Sequence, residues 1–202
     1  GLANAAPTFA AALPPTAGTA STSGSSRWRP TQGLSFDIQL SQQAPESSTA
    51  AVLDLDGADT PAATVAALKA RGVRTICYFN AGGFEDWRQD ASSFPAQVRG
   101  QALGDWPGER WLDIRALAVL MPIMEERIQS CADKGFDAID PDNLDGWRTA
   151  SGFGLSEADA VAYERALIES GHRHGLAVGL KNAADLLPQL VNEVDFAVNE
   201  QC

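Results

Sequence analysis

Positive charge, histidine and aromatic side chains are all scarce in this 202-residue chain. Fifteen Lys and Arg stand against 26 Asp and Glu, for a formal net charge of −11. So acidic a chain has no basic stripe with which to neutralise phosphates, so neither nucleic acid nor an anionic lipid surface is expected as a partner. No run approaches the roughly eighteen consecutive apolar residues of a membrane-spanning helix, and no membrane insertion is expected. The three cysteines and two histidines show no Cys-x-x-Cys or Cys/His spacing of a zinc site, so no metal and no other cofactor is expected. His172 and His174, two apart at a helix end, point in different directions and read as solvent-facing. A Gly-rich phosphate cradle and a Ser-His nucleophile pair are missing as well. Neutral or cationic ligands remain.

Residues 1–26 carry no charge and consist of Ala, Thr, Ser, Pro and Gly apart from Leu2, Asn4, Phe9 and Leu13. Too few large apolar groups are present to offset the entropy of ordering the backbone, so this segment reads as a disordered leader and residues 27–202 as one globular domain. The first residues, Gly1-Leu2-Ala3-Asn4-Ala5-Ala6, have the small-residue character of a secretory cleavage region, which points to a secreted or extracellular protein; a plain linker is the alternative. Cys77 lies in an apolar strand-like run and Cys131 on the apolar face of a helix. Two buried thiols and one bridge both fit, and export favours the bridge. Cys202 has no evident partner.

From Leu34 onward a unit repeats: a short apolar strand, a polar residue at its end, a loop, then a helical period. The strand candidates are residues 34–40, 51–56, 73–80, 136–140, 177–181 and 195–200. Helices are expected at 61–70, with Thr60 as N-cap and Pro61 in the first turn, near Pro122, and at 157–174 behind a Ser156/Asp159 capping box. Strands alternating with helices imply a parallel sheet with right-handed crossovers. Gln39, Asp56, Asn80, Asp142, Lys181 and Glu200 all fall at or just past a strand's carboxyl end, and polar groups converging there from many strands mark a barrel enzyme. The fold expected is α/β, a (β/α)8 TIM barrel truncated after strand six, since such a barrel takes about 250 residues. An open six-stranded sheet is the alternative.

Chemistry concentrates where the fourth strand ends in Asp140-Pro141-Asp142-Asn143. Alternation places Asp140 and Asp142 on one face, and two carboxylates in one cleft split their protonation, which suits acid or nucleophile roles. Turn formation by the same residues is the plainer reading. Glu200, ending the sixth strand, supplies a carboxylate that is costly to bury unpaired and should project into the mouth. Two carboxylates on separate strands can flank a glycosidic bond. Asp54 and Asp56 partly imitate the Asp-x-Asp-Gly motif of haloacid-dehalogenase-like phosphatases, in which Asp54 would attack phosphorus beside Mg²⁺; a cleft-lining role or a turn at Gly57 are the other readings. Asp37 and Gln39 alternate into the same interior, as do Tyr78 and Asn80. Lys181 either pairs with these acids or meets the ligand. The long connection from 81 to 110 reads as a functional loop whose Trp87 can stack on a sugar face.

Trp28-Arg29-Pro30, Phe36-Asp37-Ile38-Gln39-Leu40, Tyr78 to Arg88, Asp105 to Arg115, Gly135 to Asn143, Val178 to Asn182 and Phe196 to Cys202 together resemble glycoside hydrolase family 114. Those enzymes are endo-α-1,4-polygalactosaminidases on a (β/α)8 barrel. The resemblance implies Asp142 as nucleophile and Glu200 as acid/base of a retaining reaction. It also implies a cationic galactosamine-containing polysaccharide as partner. The residues expected to contact substrate in the cleft are Asp37, Gln39, Asp54, Asp56, Tyr78, Asn80, Trp87, Asp140, Asn143 and Lys181. A monomer is expected. Gly57 and Ala58 depart from the bulkier residues expected there. A carbohydrate-binding or exopolysaccharide-assembly protein on the same fold is the non-catalytic alternative.

Overall fold

Six short strands form one parallel sheet in a computed structural model that describes residues 26–41 and 45–200. The expected leader up to Ser25, and Cys202, lie outside the described residues. In chain order the elements are β1 (Phe36–Gln39), β2 (Val52–Asp56), α1 (Ala62–Ala70), β3 (Arg74–Asn80), β4 (Gly83–Glu85), β5 (Arg99–Ala102), β6 (Glu109–Leu112), α2 (Leu117–Lys134), β7 (Ala138–Asp142), α3 (Glu157–Arg173), β8 (Ala177–Lys181), α4 (Leu187–Leu190) and β9 (Phe196–Val198). The sheet order is β1-β2-β3-β7-β8-β9. It curls with the helices outside, as six strands of a (β/α)8 barrel.

Alternation along each strand separates two faces. Leu53, Leu55, Cys77, Phe79, Ile139, Val178 and Leu180 face outward and pack with Val65, Leu68, Leu120, Ile128, Leu167 and Ile168 of the helices. Each such fully buried aliphatic side chain contributes about 1.5–3 kcal/mol. Inward, Val52, Ile76, Ala138 and Ala177 close the amino-terminal end of the strands beneath Trp28 and Phe196. One or two alternations further along, the same inner face turns polar.

Local chemistry accounts for the helix limits. Ser156 Oγ accepts from Asp159 N–H at 3.2 Å while Asp159 Oδ2 accepts from Ser156 N–H at 2.8 Å, the expected reciprocal cap of α3. Gly135 stops α2 in the left-handed region at φ 89°. Helix α1 differs from expectation in its cap: Pro61, with its fixed φ, occupies that position, and Thr60 is buried with its N–H bonded to the Asp56 carbonyl.

Other expectations change. The 81–110 connection is no simple loop, because β4, β6 and β5 form a small antiparallel sheet inserted between β3 and α2. Its strands are three or four residues long and rich in Gly, Arg and Glu, too short for a legible alternation. Asp37 and Gln39 do not enter the interior: register pairs Asp37 with Leu53 and Gln39 with Leu55, so both lie on the helix side, where Gln39 Nε2 donates to Asp37 Oδ2 at 2.9 Å. The pattern of strand one fitted either phase, and pairing with β2 selected the one that turns Phe36 and Ile38 inward. Strand β7 runs through Pro141 to Asp142, whose carbonyl accepts from the N–H groups of Ala81 and Gly82 at 3.0 Å each. The two histidines are not free in solvent. His172 Nε2 lies 2.8 Å from Asp195 Oδ2, and His174 bridges the Ser170 carbonyl and Gln129.

Of the two possibilities for Cys77 and Cys131, the bridge is formed, tying β3 to α2. It explains Gly57 too: a Cβ there would sit 2.3 Å from Cys77 Sγ and 3.1 Å from the Tyr78 carbonyl oxygen. The glycine clears space for the disulfide.

Candidate active site

Register brings the inner polar residues to one end of the barrel. Asp56 lies beside Tyr78, Tyr78 beside Asp140, and Asn80 beside Asp142, while Lys181 ends the next strand. The lower layer is dry. Lys181 Nζ stands 2.7 Å from Asp140 Oδ2 with neither side chain exposed, 3.9 Å from Asp142 Oδ2 and 5.1 Å from the centroid of the Tyr78 ring. Burial alone would lower the Lys181 pKa, but the charges of Asp140 and Asp142 outweigh it and the shift is upward. Asp54 completes the layer with no donor directed at either oxygen, and Asp140 Oδ1 lacks one as well. Burial, followed by the charge of Asp140, holds the Asp54 carboxyl well above the usual carboxylate range.

Above this layer Asp142 meets the cleft with its side chain 19% exposed. Burial raises its pKa, the charge of Lys181 opposes that, and Asp140 and Glu200 add to the rise. The Asn143 N–H donates to Asp142 Oδ1 at 2.8 Å. Tyr78 belongs to the same group: burial, then the charges of Asp142 and Glu85, push its phenol up. Glu200 is exposed and held at two points, with Asn182 Nδ2 donating to its Oε2 at 2.9 Å and its own N–H donating to Asn182 Oδ1 at 2.8 Å. Both asparagines adopt positive φ, 62° for Asn143 and 51° for Asn182, just past the ends of β7 and β8. Asparagine tolerates that region better than other side-chain-bearing residues. Gly82 permits the approach of the β7 loop, since a Cβ there would lie 1.7 Å from the Asn143 carbonyl oxygen.

The inserted sheet closes one flank. Arg88 binds Asp56 through Nη1 at 3.1 Å and Nη2 at 2.6 Å, and binds Glu85 through Nε at 2.9 Å. Asp56 Oδ1 also accepts from the N–H groups of Ala58 and Asp59. Its carboxylate is thereby committed to holding the insertion on the barrel. Glu109, directly opposite Glu85 in the β4–β6 ladder, reaches Asn80 Nδ2 at 3.4 Å, and Asn80 Oδ1 accepts from Asn143 Nδ2 at 3.0 Å.

Thus Asp54, Tyr78, Asn80, Asp140, Asp142, Asn143 and Lys181 come together, with Glu200 alongside. Asp37 and Gln39 stand on the other face of the sheet, and Trp87 is an exposed side chain of the insertion. The phosphatase reading fails on accessibility: Asp54 is fully buried, so it cannot reach a phosphorus atom in the cleft. Sequence reasoning passed over Asn182, which follows the strand-ending Lys181 just as Asn143 follows Asp142, and that parallel was a readable signal. It also passed over Glu109 and the Arg88 clamp, which depend on how the insertion folds back.

Two separately held carboxylates at the carboxyl-terminal mouth of a parallel barrel sheet are an arrangement that can flank a glycosidic bond. The chain belongs to glycoside-hydrolase family GH114, whose model matches residues 17–202. It is similar to Ega3 of Aspergillus fumigatus, solved in complex with galactosamine, at 37% identity and a TM-score of 0.85, covering 88% of this chain and 70% of that one. The glycoside hydrolase domain of PelA from Pseudomonas aeruginosa shares the fold at 21% identity and a TM-score of 0.64, with 82% of this chain and 66% of that one covered. An α-galactosidase of Thermus thermophilus shares it more distantly, at 14% identity and a TM-score of 0.51 over 75% of this chain and 39% of that one. No curated protein sequence matches the chain.

Proposed function

We propose that this glycoside hydrolase is a secreted, endo-acting enzyme that cleaves α-1,4-linked galactosamine polymer by a two-carboxylate, retaining mechanism. The observation that carries the reading is the Asp142 carboxylate, which reaches the cleft between Lys181 and the Asn143 N–H and feels the charge of Glu200. In the first step Asp142 attacks the anomeric carbon, the bond to the glycosidic oxygen breaks, and Glu200 gives that oxygen its proton. In the second, Glu200 takes a proton from water, whose oxygen displaces Asp142 from the anomeric carbon and restores both carboxyl groups. Lys181 and the Asn143 N–H favour the ionised Asp142 that the first step needs, against the burial that disfavours it.

The likeness to Ega3, solved with galactosamine, supports the substrate class, as does the excess of carboxylates around the mouth, which attracts a polycation. The disulfide supports an oxidising compartment, and no helix among the described residues is long and apolar enough to cross a membrane. The test is reducing-end release and chain shortening of deacetylated galactosamine polymer by the wild type, Asp142→Asn and Glu200→Gln. Each variant is expected to lose at least about a hundredfold in rate with its thermal unfolding unchanged. Full activity in either variant refutes its assignment, and polymer binding with no shortening by the wild type refutes hydrolysis.

A further inference from the structure

The flank formed by the inserted sheet leaves one charge unbalanced. Asp56 and Glu85 share Arg88, and Asp140 and Asp142 share Lys181. Glu109, on the insertion, has no Lys or Arg within ion-pairing distance among the described residues, and the neutral Asn80 amide donates to it at 3.4 Å. Asn80 and Asn143 link it to Asp142: Asn80 Nδ2 donates to Glu109 at 3.4 Å, Asn143 Nδ2 donates to Asn80 Oδ1 at 3.0 Å, and the Asn143 backbone N–H donates to Asp142 Oδ1 at 2.8 Å. The Glu109 side chain is only partly buried and lies near enough to Asp142 for their charges to interact. The titratable and charged groups facing it are Tyr78 from β3, Glu85 from β4, Asp142 from β7 and Arg88 from the segment after β4. Burial and the charges of Glu85 and Asp142 push it up to about 7, with Arg88 opposing. A cation brought into the cleft would relieve that repulsion.

Resting on the functional reading above, we infer that Glu109 is a specificity-determining residue whose carboxylate receives the ammonium group of a deacetylated aminosugar bound next to Asp142. An N-acetylated unit carries no cation for Glu109 to pair with, so Glu109 selects for free amines. The carboxylate is supplied by the insertion and Asp142 by the barrel, and the Asn80–Asn143 bridge fixes their relative position.

The experiment compares wild type with Glu109→Gln, an isosteric change, on fully deacetylated and on partly N-acetylated polymer. For the deacetylated polymer KM is expected to rise roughly tenfold to a hundredfold, the range for one charge-assisted hydrogen bond, while kcat changes by less than about twofold. The preference over the N-acetylated polymer shrinks by the same factor. In the wild type KM rises as the pH falls below about 7 and Glu109 takes up its proton, and Glu109→Gln removes that dependence. An unchanged KM, or a loss confined to kcat, overturns the inference. Binding of a deacetylated oligomer to Asp142→Asn, with and without Glu109→Gln, is read by calorimetry independently of cleavage. Weaker binding in the double variant supports the inference. Equal binding, or no binding by Asp142→Asn at all, overturns it. A wild type that binds but cuts neither polymer sinks the hydrolase reading alone.

Discussion

Replacing Lys181 with Met keeps much of the side chain's volume and removes the one cation buried between Asp140 and Asp142. At an effective dielectric constant of about 20, charges 2.7 and 3.9 Å apart attract by roughly 6 and 4 kcal/mol. Those gross values exceed the expected loss, because the wild-type pair already bears the cost of desolvation. Removing one partner of a buried pair costs about 3–5 kcal/mol. The sign with pH follows from linkage: Lys181 has a raised pKa, so its contribution is fully present at neutral pH and is lost only as the pH climbs beyond the lysine range. Urea unfolding at pH 7 should therefore give a deficit of about 3–5 kcal/mol. A deficit under about 1 kcal/mol at pH 7 would refute the argument. Adding Asp140→Leu should recover most of the loss, because the buried anion goes with its counterion.

Gly57→Ala is expected to destabilise by about 1–3 kcal/mol, since the new methyl meets Cys77 Sγ and the Tyr78 carbonyl, both fixed by the disulfide and the sheet; equal urea midpoints would show that this region yields. The Cys77–Cys131 bridge closes 54 residues, for which the chain-entropy model gives about 4 kcal/mol. Guanidinium unfolding of the Cys77→Ala/Cys131→Ala protein measures this, and a loss below about 1 kcal/mol would mean that the bridge adds little to the β3–α2 packing.

The residues that announce themselves in the sequence are those whose role follows from local order. Apolar runs ending in Asp142 and Lys181 identify strands whose tips face a common mouth. Ser156 with Asp159 marks the start of α3, and Gly135 the end of α2. The relation to a family was legible in the same way, as short motifs in order along the chain.

What local order leaves open is decided by contacts distant in sequence. Whether Asp37 or Ile38 turns inward depends on register with β2, because a period of two is satisfied by either phase and only pairing excludes one. Whether Asp54 is an accessible nucleophile or a buried acid with a raised pKa depends on Asp140 and Lys181, which lie 86 and 127 residues further along the chain by position number. The sequence likewise supplied Glu85, Arg88, Asn80 and Glu109 without indicating which carboxylate would find the arginine and which would be left without a cation. Residue types and spacing set which ionisable groups exist and on which strands. The low dielectric of the barrel interior, and the few cations available to share there, determined which of them stay charged.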